Sequence, residues 1–323
     1  MLCGSRTLRA VSETAATVTA RSGSGAFAAV RRLLAWNRTN AAAASAVPPS
    51  SSSSSPPNAS SAAATTLARD AAPTGAGASS TALDVVEAAV RERWTCRQFD
   101  PDRPISLDTL RRVLAATTRA PTGFNLQGWH AVVVTDAARR EQLYKAALGQ
   151  PQVLQAPVTV IFVADAEPER NAAQVLEMGL ESGYYNPLYG AAYLRHVYYL
   201  LHGGPMQSMA AVKSYVSAAY SRAAGTPLLS VPVTRAGYAW KQTMMPATSF
   251  VQLCTAAGWN TCIMEGIDEE AVKRVIGVPA GTARYTVPVI VSVGYATAAE
   301  ATRRREVPSP RLATAHLVRW NRF

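Results

Sequence analysis

Three short segments hold the side chains best suited to chemistry. The first is Arg93-Trp94-Thr95-Cys96-Arg97-Gln98-Phe99. Two guanidinium groups and a hydroxyl here could hold an anion, since charge-assisted hydrogen bonds to a phosphate contribute about 1.5–3 kcal/mol each. Read alone, the segment is better described as a solvated basic helix end. The second is Pro121-Thr122-Gly123-Phe124-Asn125-Leu126-Gln127-Gly128-Trp129-His130. Pro, Gly and Asn make an irregular loop before a strand, with amides and hydroxyls that suit a polar ring or a sugar chain. An ordinary turn is the plain alternative. The third is Met264-Glu265-Gly266-Ile267-Asp268. Glycine lets a backbone approach a flat ligand closely, and the N–H groups here stand near a helix start. Read alone, the segment is better described as a strand-to-helix loop with an N-cap.

Other chemistries leave no trace. His130, His196, His202 and His316 show no H-E-x-x-H or H-x-x-x-H spacing, so no zinc site declares itself. No G-x-S-x-G elbow supports a hydrolase. No G-x-G-x-x-G follows a strand and no G-x-x-x-x-G-K-[ST] loop is present, which argues against a Rossmann domain and a P-loop NTPase. Cys3, Cys96, Cys254 and Cys262 are far apart and contain no C-x-x-C pair, against a disulfide framework or a four-cysteine metal site. Cys96, although flanked by Arg97, reads as a structural cysteine.

The elements that position these segments begin at Leu83. Leu83, Val86, Ala89 and Val90 share one helical face. Ser106 caps a helix whose stripe is Leu110, Val113 and Leu114. Trp129–Val134 reads as a strand and Ala137–Ala147 as a helix. Ala156–Val163 is a strand apolar throughout, expected to be buried on both faces. Asn171–Gly183 and Met206–Ala223 read as helices, and Thr226–Val233 as irregular. Met245–Ala257 reads as a helix entered at Pro246 and ended by Gly258. Thr261–Met264 is a strand, Asp268 caps a helix stopped by Gly277, and Val287–Tyr295 is the last strand. Strands and helices alternate through long, irregular connections, which predicts helices on both sides of a mixed sheet.

The chain has 323 residues, 48% of them apolar and only 16% charged, with a net charge of +11. Residues 1–80 contribute +5 of that charge, from seven Arg against Glu13 and Asp70. A nucleic-acid reading of the basic balance is weakened accordingly. Residues 1–40 are rich in Arg, Ser, Thr and Ala, and Phe27 to Trp36 makes a short basic amphipathic helix; together they predict a mitochondrial presequence. Residues 41–80 are Ala/Ser/Pro-rich and read as a flexible linker. On a mitochondrial route the sequons at Asn37 and Asn58 stay unused. No apolar stretch reaches the ~18 residues of a spanning helix. Eight of the twelve tyrosines crowd between Tyr184 and Tyr220.

Taken in order and spacing, the three segments resemble those of the nitroreductase family of flavoenzymes. Its first motif is Arg, any residue, Ser/Thr, any residue, Arg/Lys, any residue, aromatic, matched by Arg93, Thr95, Arg97 and Phe99. Its Pro-Ser-Ser-x-Asn-x-Gln-Pro-Trp motif is matched at Pro121, Thr122, Asn125, Gln127 and Trp129, while Gly123 and Gly128 depart from the usual Ser and Pro. Glu265, Gly266 and Asp268 match Glu-Gly-x-Asp. Val291-Ser292-Val293-Gly294-Tyr295 resembles V-P-V-G-Y, and Arg311 to Trp320 the C-terminal arm. The likeness covers about residues 83–323. With the presequence and the tyrosine-rich insert, the chain is similar to the mitochondrial NADH-dependent nitroreductases of trypanosomatid protozoa.

The resemblance implies an α+β fold: a three-layer α/β/α sandwich around a mixed, mainly antiparallel sheet, in a domain-swapped homodimer that binds FMN at sites built from both chains. Arg93, Trp94 and Thr95 would hold the FMN phosphate and Arg97 the N1/O2 end of the ring. Pro121, Thr122, Gly123 and Asn125 would contact the flavin from the partner subunit. Gln152 would meet the pyrimidine edge, Glu265 and Gly266 would offer backbone N–H groups, and Arg311 would return to the phosphate. Ser309 and Pro310 replace a second basic residue often found there, leaving that site one charge short. NADH or NADPH would reduce the flavin, and a quinone or nitroaromatic compound would reoxidise it in a ping-pong cycle with no catalytic side chain. The insert at about 184–235 would supply a lid over the flavin or pack at a dimer interface. A same-fold reductive dehalogenase, a flavin-processing enzyme, and a basic organellar nucleic-acid-binding protein are the rival readings.

Overall fold

The computed structural model describes residues 81–202, 204, 208–225, 232 and 234–323. The expected presequence and linker, and residues 203, 205–207, 226–231 and 233 of the insert, including the first two residues of the helix expected from Met206, lie outside them. The described residues form one compact unit.

Helix α1 (Ala82–Glu92) opens on a capping box: Asp84 N–H donates to Thr81 Oγ1 at 3.2 Å, and Thr81 N–H to Asp84 Oδ2 at 2.7 Å. Helix α2 (Leu107–Thr117) starts at Ser106, whose hydroxyl accepts from Thr109 N–H, and buries Leu110, Val113 and Thr117. Strand β1 (Trp129–Val134) leads to α3 (Ala137–Ala146), capped by Asp136. Strand β2 (Val158–Asp165) precedes α4 (Ala172–Glu181), α5 (Pro187–Leu201), α6 (Ser208–Ala224) and α7 (Arg235–Ala256). Strand β3 (Asn260–Met264), α8 (Glu269–Ile276), strand β4 (Tyr285–Gly294) and α9 (Ala298–Glu306) follow, with one-turn helices over Gln152–Gln155 and Thr314–Leu317 besides. Asp268 caps α8, and Gly277 ends it at φ 76°, a left-handed conformation that glycine adopts without strain.

The four strands lie in the order β1-β2-β4-β3, and every adjacent pair is antiparallel. The expected mixed character reduces to one parallel bridge, Thr95 to Thr261, at the β3 edge. The residues of β2 are all buried, as its unbroken apolar run predicts. The cause is cover from helices on both faces rather than parallel pairing. Val158, Val160 and Phe162 point with Val289, Val291 and Val293 towards Leu110, Val113, Phe250 and Val251 of α2 and α7. Ile161, Val163 and Ile290 point the other way, towards Leu143, Ala146 and Val272 of α3 and α8. Period-2 alternation thus serves two cores at once.

Two expectations need correction. The long helix is not entered at Pro246: α7 begins at Arg235 and carries Pro246 in its interior. A helix-interior proline costs about 3 kcal/mol. Here Tyr238, Gln242, Pro246, Phe250 and Cys254 continue one buried stripe through that position, so packing outweighs the missing N–H. The apolar face of α1 is the second. No residue of α1 is buried, and Leu83 is 71% exposed.

One ion pair fixes the base of the loop before β1. Asp165, at the end of β2, is buried and takes a forked contact from Arg284, at 3.0 Å and 2.6 Å. Its backbone N–H donates to Gly128 O at 3.0 Å. Arg284→Ala would leave a buried carboxylate without its partner and should lower unfolding free energy by about 3 kcal/mol. Urea denaturation checks this; an unchanged midpoint would contradict it.

Candidate functional site

The first segment is held along the β3 edge. Arg93 is the C-cap of α1. Trp94 is buried, and Cys96 N–H donates to Thr261 O at 2.9 Å, extending the Thr95–Thr261 bridge. Arg97 N–H donates to Glu300 Oε1 and Arg97 O accepts from Gln152 Nε2 at 3.2 Å. Gln150, two residues from Gln152, donates to Gly266 O at 2.9 Å. The 150–152 turn therefore joins the first segment to the third. Open space stands where a Cβ on Gly266 would project. Burial pushes the Cys96 thiol up to about 12, which keeps it protonated and unreactive at neutral pH.

Three arginines gather without a matching carboxylate. Burial, and then the nearby guanidinium groups of Arg311 and Arg304, lower the pKa of Arg93. Arg304 carries a buried Nε with no partner. The nearby carboxylate, Glu300, is taken by Arg303 through contacts of 2.8 Å and 2.9 Å. Arg304 was not legible in the sequence because it stands inside the run Arg303-Arg304-Arg305, which reads as a solvated basic end. Successive helical positions face different directions, and only Arg304 turns towards Arg93. It adds a third positive charge to Arg93 and Arg311. Gln152, also buried, keeps its Oε1 without a partner. Orphaned buried polar groups of this kind mark places where a ligand can complete the hydrogen bonding.

The second segment is a strained loop at the β1 edge. Phe124, Asn125 and Gln127 all have positive φ, at 54°, 54° and 49°. Such backbone persists where the surroundings over-determine it, commonly at ligand sites. Four partners do so here. Gly123 N–H donates to Gln242 Oε1 at 2.6 Å, Tyr193 hydroxyl to Phe124 O at 2.8 Å, Asn171 Nδ2 to Leu126 O at 2.9 Å, and Gln127 N–H to Thr122 Oγ1 at 3.0 Å. The departure at Gly123 has a steric cause: a Cβ there would lie 2.3 Å from the Tyr238 hydroxyl. At Gly128 a Cβ would lie 2.5 Å from Pro168 Cβ.

This loop walls a cavity of about 710 Å³. Pro121, Thr122 and Asn125 line it, opposite Tyr184, Tyr185 and Tyr189, with Arg119 at its side. Gly123 does not line it and faces Tyr238 and Gln242 instead. The tyrosine rings continue inward, with Tyr185 5.3 Å from Tyr193 between centroids. Burial raises the pKa of Tyr185 and Tyr189, which keeps both phenols neutral. The described part of the insert therefore presents aromatic side chains to the cavity, from Tyr184, Tyr185 and Tyr189.

The two groups stand at diagonal corners of the sheet. The cavity is lined by none of Arg93, Arg97, Gln152, Glu265 or Gly266. Trp129 aligns through Ala164 with Thr286 of β4, and Thr95 aligns through Thr261 with Val293. Strand spacing and rise put them roughly 19 Å apart across the sheet and roughly 24 Å along it.

The loop's fit to Tyr238 yields a prediction. Gly123→Ala should displace the loop and destabilise the fold by about 1–3 kcal/mol. Adding Tyr238→Phe removes the clashing hydroxyl and should recover most of that loss. Thermal melts of the single and double variants check it; equal melting temperatures for the two would contradict the steric account.

The sequence matches the nitroreductase family over residues 90–295. The chain is 29% identical to an NADH dehydrogenase of Thermus thermophilus over 239 residues, spanning 74% of this chain and 96% of the relative. Its fold aligns with that of ydfN of Bacillus subtilis, described as a nitroreductase, at a TM-score of 0.58 and 23% identity, covering 72% and 97% of the two chains. It also aligns with a protein of Exiguobacterium sibiricum described as a nitroreductase and solved in complex with FMN, at a TM-score of 0.52 and 18% identity, covering 73% and 97%. With the motifs, the sandwich and the family match in agreement, the chain belongs to the nitroreductase family.

Proposed function

We propose that this protein is an FMN-dependent oxidoreductase that passes electrons from NAD(P)H to quinones and nitroaromatic compounds. The observation that carries this reading is the cluster of Arg93, Arg304 and Arg311 together with the buried, unpartnered Oε1 of Gln152, whose Nε2 is held by Arg97 O. The cluster fits a phosphate, and the carbonyl of Gln152 fits a ring N–H donor. FMN carries both groups in one molecule.

Arg93, Arg304 and Arg311 would hold the phosphate, with the Thr95 hydroxyl among them and Trp94 packed beneath. Arg97 and Gln152 would hold the pyrimidine end, and Glu265 and Gly266 would offer backbone N–H groups to the ring. When bound, FMN supplies the two-electron chemistry, taking hydride from NAD(P)H and returning electrons to an acceptor. The Arg97 guanidinium would stabilise the negative charge that reduction adds. Donor and acceptor would use one place in turn, so turnover would be ping-pong. Tyr185 and Tyr189 offer flat faces for stacking on either. We assign no catalytic acid or base, because the cofactor carries the difficult step.

The site would be completed by a second copy of the chain. The diagonal separation of the two groups supports this, as do the exposed apolar residues Leu83, Val86 and Val90 of α1 and Leu312, Leu317 and Trp320 of the C-terminal arm. A homodimer in which the arms are exchanged would cover them. The Arg-rich, acid-poor residues 1–40 support mitochondrial import. Together with the tyrosine-rich insert they support kinship with the trypanosomatid enzymes and NADH as the donor.

Purified protein should show flavin absorption bands that NADH bleaches in the absence of oxygen and that a quinone restores. Arg304→Ala should weaken FMN binding about tenfold, near the worth of one charge-assisted hydrogen bond, and Arg304→Lys should recover part of it. A colourless protein that neither takes up FMN nor oxidises NADH would overturn the assignment. Bleaching without reoxidation by quinone or nitro compounds would favour a same-fold dehalogenase or flavin-processing enzyme.

A further inference from the structure

The helices that carry the tyrosines turn an apolar surface to water. Among its residues, α6 buries only Ala210 and Ser217. Val212, Tyr215 and Val216 stand at i, i+3 and i+4 on one face, with Met209 a turn before, and all four are exposed. On α5, Leu188 is 84% exposed and Tyr198 is exposed as well. Apolar surface gathered in this way on a soluble fold marks an interaction site.

Charge selects the occupant. No Asp or Glu occurs between Glu181 and Glu265. The two helices carry Arg195, Lys213 and Arg222 instead. Arg195 and Arg222 are exposed, and Lys213 donates to the carbonyls of Tyr199 and His202 at the end of α5. Of the nearby acids, Glu169 is buried and paired with Arg235 at 2.8 Å, while Glu177 and Glu181 belong to α4, ahead of the insert. A second copy would set like charges against each other on this face. An anionic lipid surface supplies the opposite charge together with an apolar interior, and tyrosine suits the headgroup level between them.

We propose that the α5–α6 insert docks on the surface of an anionic bilayer. The docking stands on the insert itself; the use assigned to it rests on the reductase reading above. Tyr184, Tyr185 and Tyr189, next to Leu188, line the cavity. A quinone with a long apolar tail would pass from the lipid to that cavity without crossing water. Each cation near an anionic surface raises affinity roughly fivefold, so binding should weaken as salt is added.

The test sediments the full chain with vesicles of phosphatidylglycerol and phosphatidylcholine, and with phosphatidylcholine alone. The unaltered protein should bind the anionic vesicles at low salt. Val212→Glu with Tyr215→Glu, both at exposed positions, should weaken binding at least about tenfold, leaving FMN content, oligomeric size and turnover of a water-soluble quinone unchanged. Equal binding by the variant would trace it to the basic residues 1–80, present in both proteins, and would overturn the proposal. Binding by neither would do the same. So would a change of oligomeric state in the variant, which would give the face to a second copy. Hydrogen exchange on the unaltered chain is the second readout. Vesicles should slow exchange across residues 208–224, and unchanged exchange there would overturn the docking. An unaltered chain that binds vesicles but turns over no quinone would sink the reductase reading and leave the docking standing.

Discussion

Strand β2 has no side open to water, and most of the molecule follows from that. With every residue from Val158 to Asp165 buried, helices must cover both faces of the sheet. A ligand therefore cannot lie on a sheet face. Polar groups are left to the edges, where the first segment runs beside β3 and the strained loop leads into β1. Because β1 and β3 are opposite edges, the chemistry-bearing segments are separated within one chain. Buried area in the centre thus sends the chemistry-bearing segments to the edges of the sheet, and the two-chain site proposed above follows from their separation.

The same constraint explains the unpaired groups. Arg93 and Arg304 are half-covered, with the Nε of Arg304 unpartnered, and buried Gln152 leaves its Oε1 without a donor. Leaving such groups unmatched is unfavourable in a free chain. Their retention is understandable if a phosphate and a ring donor complete them. The loop at the other edge shows the complementary arrangement. Its positive-φ residues are held by Tyr193, Asn171 and Gln242, drawn from three other elements. One corner waits for a ligand, and the other is made rigid in advance.

Much of this was readable from residues. Ser106, Asp268 and Gly277 announced their helix ends through cap chemistry, which is local. The three chemical segments were visible from their spacing. What escaped was non-local. Pro246 reads as a helix start until the buried stripe on both sides of it is known. Arg304 is hidden in a run of like residues until a helix turns one of them inward. The glycine at 123 departs from its motif because of Tyr238, a residue far along the chain. The apolar face of α1 is legible in the sequence, but its exposure in the single chain is not, because whether a face is covered depends on distant elements.

The dependence on two chains can be tested by complementation. Arg97→Ala alters the β3 corner, and Asn125→Asp alters the β1 corner. A homodimer of either variant would be defective at both sites. A mixed dimer would carry one site with both corners intact. Random pairing in a closed two-fold dimer then predicts recovery of about a quarter of the unaltered NADH–quinone activity when the two chains are co-expressed. Activity no higher than the mean of the two variants would contradict a site assembled from opposite corners of two chains.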